Sequence, residues 1–243
     1  MQYKSLSKYY ETLILDDGYD KWIDYMLSLV KENLTTGVGY DVGCGTGIFT
    51  RKLKKSGFSV KGVDISSEML AVAKDLSSKE GVYIDYLKCD MRALKSFEKL
   101  DFITAVNDGL NYLSQKDIKR CFSSFSKCLK MGGILLFDIS TEYKLKSVLN
   151  GNMFGSDNED LSYIWLSEYD ENENKLIMNL SFFEKQGELY KRFDEQQTEY
   201  AHQISDIKNE LESAGFELLS LSGAFGEELL NTSHRAVFLA RKK

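Results

Sequence analysis

Residues Asp41-Val42-Gly43-Cys44-Gly45-Thr46-Gly47 stand between a short hydrophobic run, Val38–Val42, and a stretch of helical character over residues 47 to 56. Glycine at every second place lets backbone N–H groups and the start of the helix approach a ligand with no side chain between. A glycine turn leading from strand to helix implies an α/β fold and a nucleotide-type cofactor, although taken alone it also fits an ordinary tight turn. The dinucleotide fingerprint requires a third glycine where Ile48 stands, which argues against NAD or FAD.

Working outward, short apolar runs bounded by glycine alternate with longer amphipathic stretches. The runs are 38–42, 59–63, 82–87, 102–106 and 133–139, with helices expected at 47–56, 67–79 and 115–130. This is the pattern of strand-helix units around a parallel sheet. Thr46, Ser66 and Ser114 stand where the N-caps of the three helices belong. Beyond Ile139 the period changes: residues 161–169, 174–184 and 188–200 alternate aromatic or aliphatic with polar side chains and read as an antiparallel meander. A helix over residues 202–214 and two closing strands, 216–221 and 236–240, complete the chain. The first thirty residues carry Tyr3, Tyr9, Tyr10 and Tyr19, then Trp22, Ile23, Tyr25, Met26, Leu29 and Val30 at helical spacing, which suggests a helical arm.

Two further acidic positions extend the cofactor reading. Asp64 ends the second apolar run, about 20 residues past the turn, where a carboxylate can accept from both hydroxyls of a ribose. Asp90 follows the third run, where it can accept from an exocyclic adenine amine while Met91 covers the ring. Asp90 alone also fits a helix cap or a solvated turn. Three carboxyl ends of adjacent strands converging on one crevice are harder to ascribe to chance. The fourth run ends in Val106-Asn107-Asp108-Gly109-Leu110-Asn111-Tyr112, which places Asn107, Asp108, Asn111 and Tyr112 at the edge of the same crevice. Asp108-Gly109 as a plain turn and Asn111 as a cap remain open.

With these residues in place, Asp41–Gly47, Gly62-Val63-Asp64-Ile65-Ser66, Cys89-Asp90-Met91 and Lys130-Met131-Gly132-Gly133 are similar to the ordered motifs of class I S-adenosylmethionine-dependent methyltransferases. The resemblance spans about residues 37 to 140. It departs at Met131, where the family often has proline. It implies a Rossmann-like three-layer α/β sandwich with a seven-stranded, mostly parallel sheet whose last strand is antiparallel. It further implies that S-adenosylmethionine is the cofactor, that Gly43, Gly45 and Gly47 pass along its methionine and ribose, and that Asp64 takes the ribose hydroxyls. Asp90 and Met91 would hold adenine, and Asp41 would position the amino group through the turn. Cys44, Thr46, Ile65, Met69, Asn107 and Asn111 join the expected cofactor contacts, with Tyr9 and Trp22 from the arm. Tyr9, Tyr10 and Trp22 as a lid and as simple core packing are equally consistent.

The expected reaction is transfer of a methyl group to nitrogen or oxygen of a small molecule by in-line displacement, driven mainly by alignment and desolvation. A hydroxyl or ammonium acceptor would need a base, for which Asp108 and His202 are the candidates; a histidine without a role is the plainer reading of His202. The expected layout is one domain, 1–243, with an N-terminal arm at 1–36 and a substrate-side antiparallel insert at 141–202. The arm and insert resemble those of glycine and amino-sugar N-methylating enzymes. A non-catalytic protein that binds S-adenosylmethionine or its product is the alternative.

The bulk numbers narrow the partners. A net charge of −6, with basic residues scattered among acidic ones, offers no footprint for nucleic acid. No apolar run reaches the roughly 18 residues of a membrane span, and the first thirty residues are not a secretory signal, so a cytoplasmic protein is expected. A homodimer is compatible with all of this. Cys44, Cys89, Cys121 and Cys128 form no CxxC pair, and with only His202 and His234 besides, no metal site is expected. Proline is absent, so every turn relies on Gly, Asn, Asp and Ser.

Overall fold

The computed structural model describes residues 6–14 and 17–243; Tyr3 of the aromatic arm lies outside them. The arm is a short helix α1 (Tyr10–Ile14) and a long one, α2 (Asp17–Asn33). Then come β1 (Val38–Val42), α3 (Ile48–Lys55), β2 (Ser59–Asp64), α4 (Ser67–Lys79), β3 (Tyr86–Lys88), β4 (Leu100–Ala105), α5 (Gln115–Cys128) and β5 (Leu129–Ser140). A second sheet holds β6 (Met153–Asp157), β7 (Leu161–Asp170), β8 (Lys175–Gln186) and β9 (Leu189–Tyr200), after which α6 (Ile204–Ser213), β10 (Phe216–Ser222) and β11 (Arg235–Lys242) return to the first.

The first sheet runs β10-β11-β5-β4-β1-β2-β3. Its strands are parallel except β11, which is antiparallel to both β5 and β10. Strand side chains point alternately to opposite faces, and here both faces are covered, which is why the runs are almost continuously apolar. Phe102, Ile134, Leu136, Val237 and Leu239 enter one layer with Trp22, Ile23, Met26 and Val30 of α2 and Phe49 and Leu53 of α3. Ile103, Leu135, Phe137, Ala236 and Phe238 enter the other, with Ile118, Phe122 and Phe125 of α5 and Ile207 and Leu211 of α6. The expected seven-stranded three-layer sandwich is therefore present.

Strand order reverses between β1 and β4, and such a reversal opens a crevice at the strands' carboxyl ends. Asp101 fixes the opposite, amino end of this pair: its Oδ2 accepts the Val38 amide at 2.8 Å, and Lys130 pairs with it.

Several boundaries and caps differ from the sequence expectation; β5, for one, begins at Leu129, where the helix before it is expected to continue to residue 130. The third strand shrinks from 82–87 to Tyr86–Lys88, because Val82 and Ile84 pack beneath α4 before the chain reaches the sheet. The first helix is capped by Gly47, not Thr46: Gly47 sits at φ 81°, and no side chain caps the helix. Ser114 does not cap α5 through its hydroxyl, which donates to Asp117 instead. The second sheet gains an edge strand, β6, and a π-helical turn, Lys144–Leu149, lies ahead of it. Leu145 and Leu149 of that turn pack under Tyr169, Leu176 and Met178 on one side of the second sheet. No helix among the described residues is long and apolar enough to cross a membrane.

Candidate functional site

A cavity of about 540 Å³ opens at the carboxyl ends of β1, β2, β3 and β4. Asp41, Gly43, Cys44, Gly45, Thr46, Asp64, Ile65, Met69, Asp90, Met91 and Asn107 of the predicted set line it. Its volume lies within the range of small-molecule sites.

The turn after β1 is held by its own backbone and by Asp64. Gly43 and Cys44 both donate N–H to the Val63 carbonyl, at 2.8 and 3.1 Å. Asp64 Oδ2 accepts the Gly45 amide at 2.9 Å and Oδ1 the Ser66 amide at 2.8 Å. The carboxylate is thus aimed by two backbone donors while keeping lone pairs for a ligand. Burial raises its pKa and those two amides oppose the rise. Gly47 is required twice over: its φ is left-handed, and a Cβ there would strike the Tyr86 ring. Gly47 supports the turn from outside the cavity lining. Thr46 is buried, and its hydroxyl has no partner.

Asp41 is 1% exposed and accepts from Thr50 Oγ1 at 2.6 Å and Thr104 Oγ1 at 2.9 Å. Burial pushes its pKa up to about 6 against those two hydrogen bonds. It ties β1 to α3 and β4 and borders the cavity from below. Burial likewise holds the Cys44 thiol well above its usual range. At the other end, both Asp90 oxygens accept from Arg92 Nε at 2.9 Å, so the Arg92 hydrogen bonds lower the Asp90 pKa. Arg92 also reaches Asp117 of α5 at 3.1 Å.

Besides Gly47, the predicted residues Asn111, Tyr9, Trp22, His202 and Asp108 do not line this cavity. Asn111 is fully buried: its Nδ2 donates to the Ser140 and Tyr200 carbonyls and its Oδ1 accepts the Ser140 amide, stapling the turn after β4 to β5 and β9. Tyr9 hydrogen-bonds Glu184 of β8 beside Lys8, and Trp22 packs into the helical layer against Tyr25 and Phe225. From the arm, Tyr10 and Tyr19 line the cavity in their place. His202 lines a separate hollow of about 200 Å³ with its Nδ1 facing Gln115 Oε1 at 3.1 Å, and burial lowers its pKa. It does not border the main cavity.

The largest departure is a buried charge network behind the end of β4. Asn107 and Asp108 are consecutive left-handed residues, at φ 68° and 53°. Asp138 of β5, with no exposed surface, accepts both of their amides, at 2.6 and 3.1 Å, and pairs with Arg235 of β11. Arg235 also approaches Asp108 at 3.4 Å, donates to Asn107 Oδ1 at 3.2 Å and lies 5.0 Å from the Trp22 ring centroid. Lys144 and Ser140 hold Asp108 from the other side, at 3.5 and 2.7 Å. Burial favours protonation of Asp108, but Arg235 and Lys144 outweigh it and lower the pKa. The expected base is therefore a carboxylate held in ion pairs. Asp138, Lys144 and Arg235 were not singled out in the sequence, because only the fold brings them together.

The arm is anchored by charge as well. Arg51 of α3 binds Glu11 of α1 through Nη2 at 3.0 and 3.2 Å, Glu80 through Nε at 2.8 Å and the Thr46 carbonyl at 2.7 Å. Tyr10, beside Glu11, accepts from Asn107 Nδ2 at 3.2 Å. Among the described residues no cluster of His, Cys, Asp and Glu is arranged to hold a metal ion, and all four cysteines are free.

Comparison with known proteins follows the same outline. A sequence model for a methyltransferase domain matches residues 40–133. The whole chain is 33% identical to a methyltransferase-family protein of Geobacillus sp. (strain WCH70), each covering 100% of the other. The crystal structure of an S-adenosylmethionine-dependent methyltransferase from Clostridium acetobutylicum ATCC 824 is similar at a TM-score of 0.87 and 31% identity, over 99% of this chain and 98% of that one. The sugar N-methyltransferase KedS8 from Streptoalloteichus sp ATCC 53650 shares the fold at a TM-score of 0.80 and 16% identity, over 100% and 94% of the two chains.

Proposed function

The chain belongs to the S-adenosylmethionine-dependent methyltransferases, and from that premise we propose that it methylates a small molecule at nitrogen or oxygen, using Asp64 to hold the cofactor's ribose. The carrying observation is that Asp41, Asp64 and Asp90, from the ends of three adjacent strands, border one cavity of about 540 Å³. The residues present suit the cofactor. Asp64 is aimed by two amides, the buried Thr46 hydroxyl lacks a partner, and Gly45 leaves open space where a Cβ would stand. On this reading Asp64 accepts from the ribose hydroxyls, Asp90 and Met91 hold adenine with Ile65 and Met69 alongside, and Asp41 acts through the turn on the methionine end. When bound, S-adenosylmethionine supplies an electrophilic methyl group on a sulfonium, whose departure needs no proton.

What the chain adds is position and exclusion of water. Tyr10, Tyr19, Asn107, Gly109 and Tyr112 also line the cavity. Glu11 to Arg51 and Lys8 to Glu184 tie the arm, whose Tyr10 and Tyr19 line the cavity, to α3 and to the second sheet. Such closure favours a small acceptor over a polymer, and KedS8, a sugar N-methyltransferase by name, has the same architecture.

The test is to incubate the protein with methyl-labelled S-adenosylmethionine and, in turn, the small-molecule, protein and nucleic-acid fractions of a cell extract. Label passing into the small-molecule fraction is expected. Label appearing only in protein or nucleic acid would overturn the acceptor class while leaving the family membership intact.

A further inference from the structure

The buried network behind β4 holds three carboxyl groups and two cations. Asp108, Asp138 and Glu199 face two cations, Arg235 and Lys144. Asp138 is paired with Arg235, and Asp108 lies within 3.5 Å of both cations. Glu199 has neither cation as a direct ion-pair partner; Tyr112 hydrogen-bonds its carboxyl group, and burial favours its protonated form. The residue is 7% exposed, and its Oε2 has no hydrogen-bond partner. A buried carboxylate with an unpartnered oxygen is expensive to maintain and implies an absent partner.

The fold links Glu199 to the cavity through Tyr112, which lines it, while Glu199 itself is buried behind that lining. Asn111 ties the turn Gly109–Tyr112 to the Tyr200 carbonyl, one residue along β9 from Glu199. Tyr112 lines the cavity and donates to Oε1 of Gln197, the inward neighbour of Glu199 on the same strand. Gln197 Nε2 is buried and also lacks a partner. Of the elements packed around Glu199, the turn after β4 presents Asp108 and Tyr112, the π-helical turn Lys144, and β11 Arg235. On the sheet itself Leu176 is opposite, with Tyr169 beyond it, and Glu195 lies along β9.

We propose that Glu199, with Gln197 beside it, forms an acceptor subsite for a small molecule carrying an ammonium group. This rests on the reading of the chain as a small-molecule methyltransferase and narrows its substrate to an amine. The ammonium supplies the positive charge that lets Glu199 ionise and an N–H donor for the open oxygen. Glu199 can also take one of its protons: an O–H bond forms on the carboxylate, an N–H bond breaks, and the electron pair stays on nitrogen as the free amine. Burial, then the charge of Asp108, push the Glu199 pKa up to about 8, nearer to that of an amine than an ordinary carboxylate lies.

The experiment uses two probes of matched size, 2-aminoethanol and 1,2-ethanediol, titrated into the complex with S-adenosylhomocysteine and followed by ligand-observed NMR. The wild type is expected to favour the amine by about tenfold, the discrimination given by one charge-assisted hydrogen bond. Glu199→Gln is expected to abolish that preference, with retained S-adenosylhomocysteine binding showing that its cavity is formed. No saturable binding of 2-aminoethanol to the wild type, or the same preference in Glu199→Gln, overturns the proposal. A complex that never forms strikes the cofactor reading instead. If the variant does not fold, a pH series on the wild type decides: the preference must rise as Glu199 ionises towards pH 8, and a flat profile overturns it.

Discussion

Replacing Arg235 with methionine removes the cation that neutralises the network behind β4 while keeping most of the side chain's apolar stem. Asp138, with no exposed surface, would retain only the Asn107 and Asp108 amides as donors, and Asp108 would retain Lys144 at 3.5 Å and the Ser140 hydroxyl. The contacts to Asn107 Oδ1 and to the face of Trp22 go as well. Breaking a buried pair from one side costs about 3–5 kcal/mol, and the cation–π contact adds roughly 0.5–1 kcal/mol. Together, for a chain of this size, that is a fall in Tm of roughly 7–24 °C. The cost depends on pH with a definite sign. The lowered Asp108 pKa means its pairing stabilises the fold above the unfolded carboxylate range and is lost as pH falls through the folded value. In the variant, Asp138 escapes its uncompensated burial by taking a proton, which is easier in acid. Urea denaturation of both proteins at pH 8 and pH 5 should therefore show the larger difference at pH 8. A difference below about 1 kcal/mol at pH 8, or a larger one at pH 5, would refute the reasoning, since one-sided loss of a buried pair cannot be that small.

Gly47→Ala forces a left-handed φ on a residue with a Cβ and drives that Cβ into Tyr86, so a loss of about 1–3 kcal/mol in thermal unfolding is expected, with weaker binding of S-adenosylhomocysteine in calorimetry. Glu199→Gln should gain stability relative to the wild type as pH rises. With a folded pKa of about 8 above the usual 4.5, the wild type is most stable while Glu199 is protonated and loses stability across that interval, by up to about 4 kcal/mol. Chemical denaturation at pH 5 and pH 9 checks this, and parallel curves would count against it. His202→Asn should leave S-adenosylhomocysteine affinity unchanged, because His202 faces Gln115 away from the main cavity; a tenfold loss in calorimetry would place it back in the site.

The half of the fold built on local signals is open to reading from sequence. Helix α4 begins and ends where its residues indicate because Ser66 both precedes it and accepts the Met69 amide. Strands with both faces buried announce themselves as apolar runs, as β1 and β5 do. Asp64 was legible because its distance from the glycine turn is set by one strand-helix-strand unit. The edge strand β6 was not, since Met153-Phe154-Gly155-Ser156-Asp157 contains little alternation and is completed only by pairing with β7. Asp138 and Arg235 lie 97 residues apart, and no spacing rule joins them. Tyr10 and Tyr19 carried a signal, an aromatic series in the arm, but which tyrosine faces the crevice depends on the Arg51–Glu11 bond, a tertiary fact. Asp90's place at the cavity was legible from its strand end, whereas its partner Arg92, two residues on, carried no signal in the sequence.

The central claim is that this cavity takes S-adenosylmethionine through Asp64, and one calorimetric comparison tests it most directly. S-adenosylhomocysteine and NAD are titrated separately into the wild type and into Asp64→Ala. Saturable binding of S-adenosylhomocysteine alone is predicted, weakened by about 3 kcal/mol or more in the variant as two charge-assisted hydrogen bonds are lost. Equal affinity of both proteins for S-adenosylhomocysteine would contradict the role given to Asp64, and binding of NAD in its place would contradict the account of the cavity.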